Sequence, residues 1–200
     1  MKSNIDTQYC FKSPLRIGTL FSGIGAFEEA LQQLGVPHQI RFACDTGEIE
    51  LIPLDDPVKR RAYKDLNRRV RNLDVGEKEE YNKLKALVSK RNDEIREHCY
   101  NLQNKEERSH FVNELYRRYE GNKRNYVKES YLANYIIDSG DFHTDIRFMR
   151  GDEYAGHVDI LVGGSPCQSF STYGKKQGLE DVRGTLFYDY ARSIKESNPK

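Results

Sequence analysis

The segment that most narrows the possible folds lies between Leu15 and Leu34. Leu15-Arg16-Ile17-Gly18-Thr19-Leu20-Phe21 reads as a β-strand and runs directly into Ser22-Gly23-Ile24-Gly25-Ala26-Phe27-Glu28. A helix is expected next, with Phe27, Ala30, Leu31 and Leu34 on one face and an end near Gly35 and Pro37. Strand, Gly-rich turn and helix form the opening of a nucleotide-binding βαβ unit, in which glycines let the backbone approach a ligand closely. The full dinucleotide fingerprint wants a third glycine where this chain has Glu28, and that departure speaks against NAD. A second strand is expected over Gln39-Ile40-Arg41-Phe42-Ala43-Cys44, followed by Asp45. An acid at that point can accept hydrogen bonds from ribose hydroxyls. The alternative for Asp45 is a solvated loop residue.

A second constraint lies near the other end. Val158-Asp159-Ile160-Leu161-Val162 reads as a buried strand and leads into Gly163-Gly164-Ser165-Pro166-Cys167-Gln168-Ser169-Phe170-Ser171. This sets a cysteine on a Gly- and Pro-shaped loop at a strand's C-terminal end, where ligands and chemistry sit in open α/β sheets. Pro166 restricts Ser165 to extended geometry and so helps fix where the thiol points. A structural cysteine more often lies inside an element and faces the core. From the loop alone, nucleophile and structural thiol both stay open.

Composition sets outer limits. The chain has 200 residues, which fits one domain with an appendage, and a formal net charge of +1, so no overall basic field announces nucleic acid. Cys10, Cys44, Cys99 and Cys167 are widely scattered with no Cys-x-x-Cys pair, so neither zinc nor a disulfide framework is expected. No run is apolar and long enough to span a membrane, no signal-peptide pattern opens the chain, and a soluble protein of a reducing compartment is the default.

Residues 1–13 read as a polar arm and residues 14–54 as the first part of the α/β domain. Residues 55–130 form a charged helical stretch, and residues 131–200 resume the α/β domain. In the helical stretch, apolar residues recur at helical spacing: Leu66, Val70, Leu73; Leu84, Leu87, Val88; Ile95, Cys99, Leu102; Phe111, Leu115, Tyr119. Two to four amphipathic helices are expected. Lys59, Arg60, Arg61, Lys64, Arg68, Arg69 and Arg71 make a basic helix, either a phosphate-facing surface or a solvated face balanced by nearby acids. Tyr131 to Ile137 is expected to end a further helix, and Asp141 to Ile146 to lead into a third strand or strand end. His143 is expected at the surface, without the partners of a catalytic triad.

Together these residues resemble the DNA (cytosine-5) methyltransferase family. Phe21-Ser22-Gly23-Ile24-Gly25 looks like its first motif, Ser165-Pro166-Cys167-Gln168 like the motif with the nucleophile, and Gly178 to Phe187 like the segment that follows. The resemblance covers roughly residues 14–50 and 135–200. It implies an α/β, Rossmann-like S-adenosylmethionine-dependent methyltransferase fold, incomplete at the C-terminus, with residues 55–130 as an α-helical insertion. It implies S-adenosylmethionine as cofactor, held by Phe21, Ser22, Gly23, Ile24, Gly25, Asp45, Thr46, Asp145, Ile146, Pro166 and Leu186. Asp145-Ile146 is the matching pair for the adenine, although Asp145 could equally cap the next turn. It also implies double-stranded DNA as substrate, contacted by Gln168, Ser171, Lys175, Lys176 and Arg183, with no metal.

The chemistry accounts for that set of groups. Addition of a thiolate to cytosine C6 makes C5 enamine-like, able to accept a methyl group, and cysteine suits the task because it attacks well and can later leave. Cys167 is the residue expected to do this, on a base flipped out of the duplex. The family's Glu-Asn-Val motif, whose carboxylate bonds the base, has no match before Lys200, so the chain reads as an N-terminal portion, either truncated or completed by a second polypeptide. The resemblance places it in the cytoplasm of a bacterium, or as a phage product, in restriction–modification. An RNA cytosine-5 methyltransferase relative, and a non-catalytic Rossmann-like module binding a nucleotide or partner, are the alternatives.

Overall fold

A computed structural model describes residues 13–164 and 182–200, without the side chains of residues 139 and 182–185. Strand β1 (Leu15–Leu20), helix α1 (Ala26–Gln33) and strand β2 (His38–Cys44) form the expected βαβ unit. Four helices follow: α2 (Pro57–Arg68), α3 (Val75–Asn101), α4 (Lys105–Glu120) and α5 (Tyr126–Asn134). Strands β3 (Phe142–His143) and β4 (Ile160–Gly163) and helix α6 (Val182–Ser197) complete the described elements. The four strands make a parallel sheet in the order β3-β2-β1-β4. This is a mixed α/β structure consistent with a Rossmann-like methyltransferase fold. The strand order reverses between β1 and β4, and ligands bind at such a switch point, outside the carboxyl ends of the strands.

The sheet is buried on both faces. Phe42 and Cys44 point to one side, where they pack with Leu20, Ile146, Met149, Tyr154 and Val158 and against Leu186 and Tyr190 of α6. Ala43 points to the other, toward Tyr131, Tyr135 and Phe142. Strict alternation would put Ile40 on the Phe42 side, yet it packs with Ala43. Ile17 pairs with Ile40 and Gly18 with Phe42, so Arg41 is an extra residue, and this bulge resets the alternation.

Each helix of the middle segment starts on a cap written into the sequence. Asp56 accepts from the amides of Val58 and Lys59, with Pro57 in the first turn, and Asp74 and Glu77 form a reciprocal capping box. Asn104 and Asn125 cap α4 and α5. Two apolar clusters hold these helices. One joins Ile52, Leu54, Tyr63 and Leu66 to Leu73, Tyr81, Leu84 and Val88; the other joins Leu51, Ile95, Cys99, Val112, Leu115, Tyr116 and Tyr119 to Phe148, beside the sheet. In the basic helix, Arg60 donates to the carbonyls of Leu54 and Tyr119, Lys64 pairs with Glu120, and Arg69 pairs with Asp65 and Glu77.

Four local expectations need correction. Leu87 is exposed, because Leu84 and Val88 take the inward face of α3. The buried face of α1 carries Glu28 and Leu31, whereas Ala30 and Leu34 are exposed. Glu28 tolerates that position because its Oε1 accepts from the hydroxyls of Thr19 and Tyr131. Helix α5 stops at Asn134, so Tyr135 to Ile137 lie beyond it. His143 is half-buried rather than on the surface. Its Nε2 lies 2.7 Å from the Tyr154 hydroxyl, which donates to Asp141 at 2.7 Å, and burial pushes its pKa down to about 3.

Candidate active site

Leu20, the last residue of β1, pairs with Gly163, the last of β4. The Gly-rich turn and the segment leading to Cys167 therefore leave the sheet from adjacent strand ends. Leu20 also pairs with Cys44, so Asp45 leaves from the neighbouring end on the other side.

The turn itself is tightly wound. Phe21, Gly23 and Gly25 all have positive φ (54°, 56° and 92°). This is ordinary for glycine and unusual for Phe21, the kind of local strain that collects at binding sites. Asp45 ties the turn to its own loop: Oδ2 accepts from the Gly23 amide at 2.9 Å and Oδ1 from the Gly47 amide at 2.7 Å. A carboxylate offers about four acceptor positions, so the same group retains capacity for ligand hydroxyls. Two observations test whether the turn fits a ligand. Among the described residues, buried Ser22 Oγ has no hydrogen-bond partner and a Cβ built on Gly23 would meet nothing within 4 Å. A polar atom awaiting a partner and open space above a glycine are what a bound cofactor would fill. Ile24 is exposed, at 62%.

On the sheet's α6 side, Phe21, Leu186 and Ile146 belong to one apolar cluster, with the Phe21 ring edge-on to Tyr190 at 6.3 Å. The structure thus brings together Phe21, Ile146 and Leu186, and separately Gly23 and Asp45. Thr46 is half-buried in the Asp45 loop, its carbonyl accepting from the Ile49 amide. Asp145 is placed differently from a free ligand-binding acid. Its carboxylate is fully buried, accepting from the Arg147 guanidinium and amide and, at 2.8 Å, from the Tyr116 hydroxyl. Burial lowers the Arg147 pKa, but the Asp145 charge outweighs it and holds the guanidinium above its ordinary value.

Pro166, Cys167, Gln168, Ser171, Lys175 and Lys176 lie outside the described residues, and Arg183 falls in the first turn of α6 with its side chain outside them. Of the other cysteines, Cys44 and Cys99 are buried, and burial raises both thiols, Cys99 to about 12. Neither is suited to act as a thiolate. Among the described residues no cluster of His, Cys, Asp or Glu could hold a metal ion, and no helix is long and apolar enough to cross a membrane. Sequence reasoning missed Asn125 and Tyr135, which contact the two candidate loops from a distant part of the chain, and Tyr131, which bonds Glu28 in α1. The hydrophobic spacing that located the helices carries no signal for such hydrogen bonds.

A parallel α/β sheet with a Gly-rich turn at its switch point and an acid at the next strand end defines the class: a mixed α/β, Rossmann-like fold. Residues 119–200 match the family model described as C-5 cytosine-specific DNA methylase. It is similar to the Type II methyltransferase M.Eco47II of Escherichia coli, with 62% identity over 56 residues, 28% of this chain and 13% of the relative. The orphan methyltransferase M.SPRI of Bacillus phage SPR is 62% identical over 75 residues, 38% of this chain and 17% of the relative. The Type II methyltransferase M.HhaI of Haemophilus parahaemolyticus is 60% identical over 42 residues, 21% of this chain and 13% of the relative. The matched segments thus span less than a fifth of each of these curated relatives.

Proposed function

We propose that this chain carries the cofactor-binding and nucleophile-bearing part of a DNA cytosine-5 methyltransferase that uses S-adenosylmethionine. The observation that supports it most is the pairing of Leu20 with Gly163, which starts the Gly-rich turn and the Ser165-Pro166-Cys167-Gln168 segment from adjacent strand ends at the switch point. S-adenosylmethionine, when bound, supplies an electrophilic methyl group. In this reading Ser22 and Gly23 offer close backbone approach, Gly25 lets the turn pass beneath the Tyr135 ring, and Asp45 accepts from the ribose hydroxyls. Phe21 and Leu186 offer apolar surface, with Ile24, Thr46 and Pro166 bordering the site. For Asp145 and Ile146 the proposed adenine contact falls to the surrounding backbone, since the Asp145 carboxylate is already occupied.

Cys167 adds through its thiolate to C6 of a flipped-out cytosine and raises electron density at C5. Once C5 is methylated, loss of the C5 proton and expulsion of the thiolate restore the aromatic base. The enclosed, raised thiols of Cys44 and Cys99 favour Cys167 for this role. Gln168, Ser171, Lys175, Lys176 and Arg183 are proposed to face DNA, the cations near phosphate. Residues 55–130 are proposed as a helical insertion between 14–54 and 131–200. The bacterial and phage relatives favour a cytoplasmic, bacterial or phage-encoded protein in restriction–modification.

Covalent trapping tests the chemistry. Mixed with S-adenosylmethionine and DNA containing 5-fluorocytosine, the wild type is expected to form an adduct detectable by mass and Cys167→Ser none, because fluorine at C5 cannot leave as a proton does. An adduct on any other residue refutes the assignment, and trapping by RNA alone moves the substrate to RNA.

A further inference from the structure

Helix α5 and the residue after it touch both loops of the candidate cofactor site. At its N-terminus, the Asn125 Nδ2 donates to the Asp45 carbonyl at 3.0 Å while its Oδ1 accepts from the Lys128 amide at 2.9 Å. One side chain thus caps the helix and anchors the loop whose carboxylate holds Gly23. Mid-helix, the fully buried Tyr131 donates to Glu28 Oε1, which also accepts from Thr19 Oγ1. Just past the C-terminus, the Tyr135 hydroxyl donates to the Gly25 carbonyl at 2.7 Å. Its ring leaves no room beside that glycine, since a Cβ there would lie 2.2 Å from Tyr135 Cε2. The three contacts bridge 80 to 110 residues of sequence and converge on the Gly-rich turn, the start of α1 and the Asp45 loop.

We propose that α5 is a positioning element of the cofactor site, with Asn125 and Tyr135 as the residues that hold the Asp45 loop and the Gly-rich turn in ligand-ready register. This rests on reading those loops as the S-adenosylmethionine site. Both loops carry exposed or half-buried backbone and positive φ angles, so their geometry is set from outside. The Gly23–Asp45 bond joins the two loops and the Gly47–Asp45 bond closes the second, and both depend on the Asp45 backbone, which is held through its carbonyl by Asn125 and through its amide by the His143 carbonyl. Preorganisation of this kind raises affinity by removing the ordering cost from the binding step.

Asn125→Asp separates positioning from folding. Aspartate caps a helix about as well as asparagine and keeps the acceptor for Lys128. It has no donor for the Asp45 carbonyl, and sets a negative oxygen against it. Tyr135→Phe keeps the ring over Gly25 and removes only the hydroxyl. Calorimetric titration with S-adenosylmethionine is expected to show affinity about three- to tenfold weaker in each variant, the worth of one hydrogen bond. Exchange of the Gly23 and Gly47 amides is expected to quicken, with thermal melting little changed in Asn125→Asp. Leu84→Ala, in the α2–α3 cluster, serves as the control that lowers stability and leaves affinity as in wild type. Wild-type affinity and wild-type amide protection in both variants would overturn the proposal alone. A wild-type protein that binds no S-adenosylmethionine would overturn the cofactor reading and the proposal with it.

Discussion

Asp145→Ala is expected to be among the most damaging single changes in this chain. The carboxylate it removes is fully buried and accepts from the Arg147 guanidinium at 2.6 and 3.0 Å, the Arg147 amide at 3.0 Å and the Tyr116 hydroxyl at 2.8 Å. The Arg147 side chain is only 8% exposed. Without Asp145 its charge stays buried and uncompensated, and the Tyr116 hydroxyl loses its acceptor. Removing one partner of a buried ion pair costs about 3–5 kcal/mol, whereas a change at a ligand-facing surface residue usually stays within about 0.5 kcal/mol. Urea unfolding followed by far-ultraviolet circular dichroism measures the difference. Asp145→Leu combined with Arg147→Met removes both charges and is expected to recover most of the loss, since the stranded charge accounts for it. A single variant within about 1 kcal/mol of wild type, or a double variant as unstable as the single one, would refute the reasoning.

Three further outcomes follow from the core and its titrating groups. His143 has a folded pKa of about 3, below the ordinary value near 6.5, so the unfolded chain binds the extra proton between those values. Its contribution is intact above about pH 6.5 and is lost as pH falls through that window, so His143→Gln should narrow the gap between urea midpoints at pH 7.5 and 5.5; an unchanged gap contradicts it. Native alkylation with iodoacetamide, mapped by mass spectrometry, should leave Cys44 and Cys99 unlabelled, because both thiols are buried and raised; rapid labelling of either would exclude the packing described. Leu84→Ala, 5% exposed within the α2–α3 cluster, should cost about 2–5 kcal/mol in the same urea assay, and a loss under about 1 kcal/mol would mean that the cluster is not a core.

The elements legible in the sequence were those with a local signal. β1, α1, β2 and β4 announce themselves through apolar runs broken by Gly23, Gly25, Gly35 and Gly163, and the middle helices through apolar residues at helical spacing. β3 is only two residues long, too short for any periodic signal, and is a strand because Ala43 and Cys44 pair with it. The inward turn of Glu28 was illegible because its partner Tyr131 lies 103 residues away, and the bulge at Arg41 because nothing in β2 marks it. At the candidate site, the Gly-rich turn and Asp45 were readable from their place after strands, and the structure adds that they bond each other. The inward commitment of Asp145 depends on Arg147 and Tyr116, and no short motif distinguishes it from a ligand-facing acid.

Calorimetric titration with S-adenosylmethionine of the wild type, Gly23→Val and Asp45→Ala tests most directly whether the turn and strand ends form a cofactor site. Valine at a φ of 56° strains the turn and fills the space above it, and Asp45→Ala leaves the Gly23 and Gly47 amides without their acceptor. Saturable binding in the wild type, with affinity at least about tenfold weaker in both variants, is the predicted result. Unchanged affinity in both variants, or no binding by the wild type, would contradict the account.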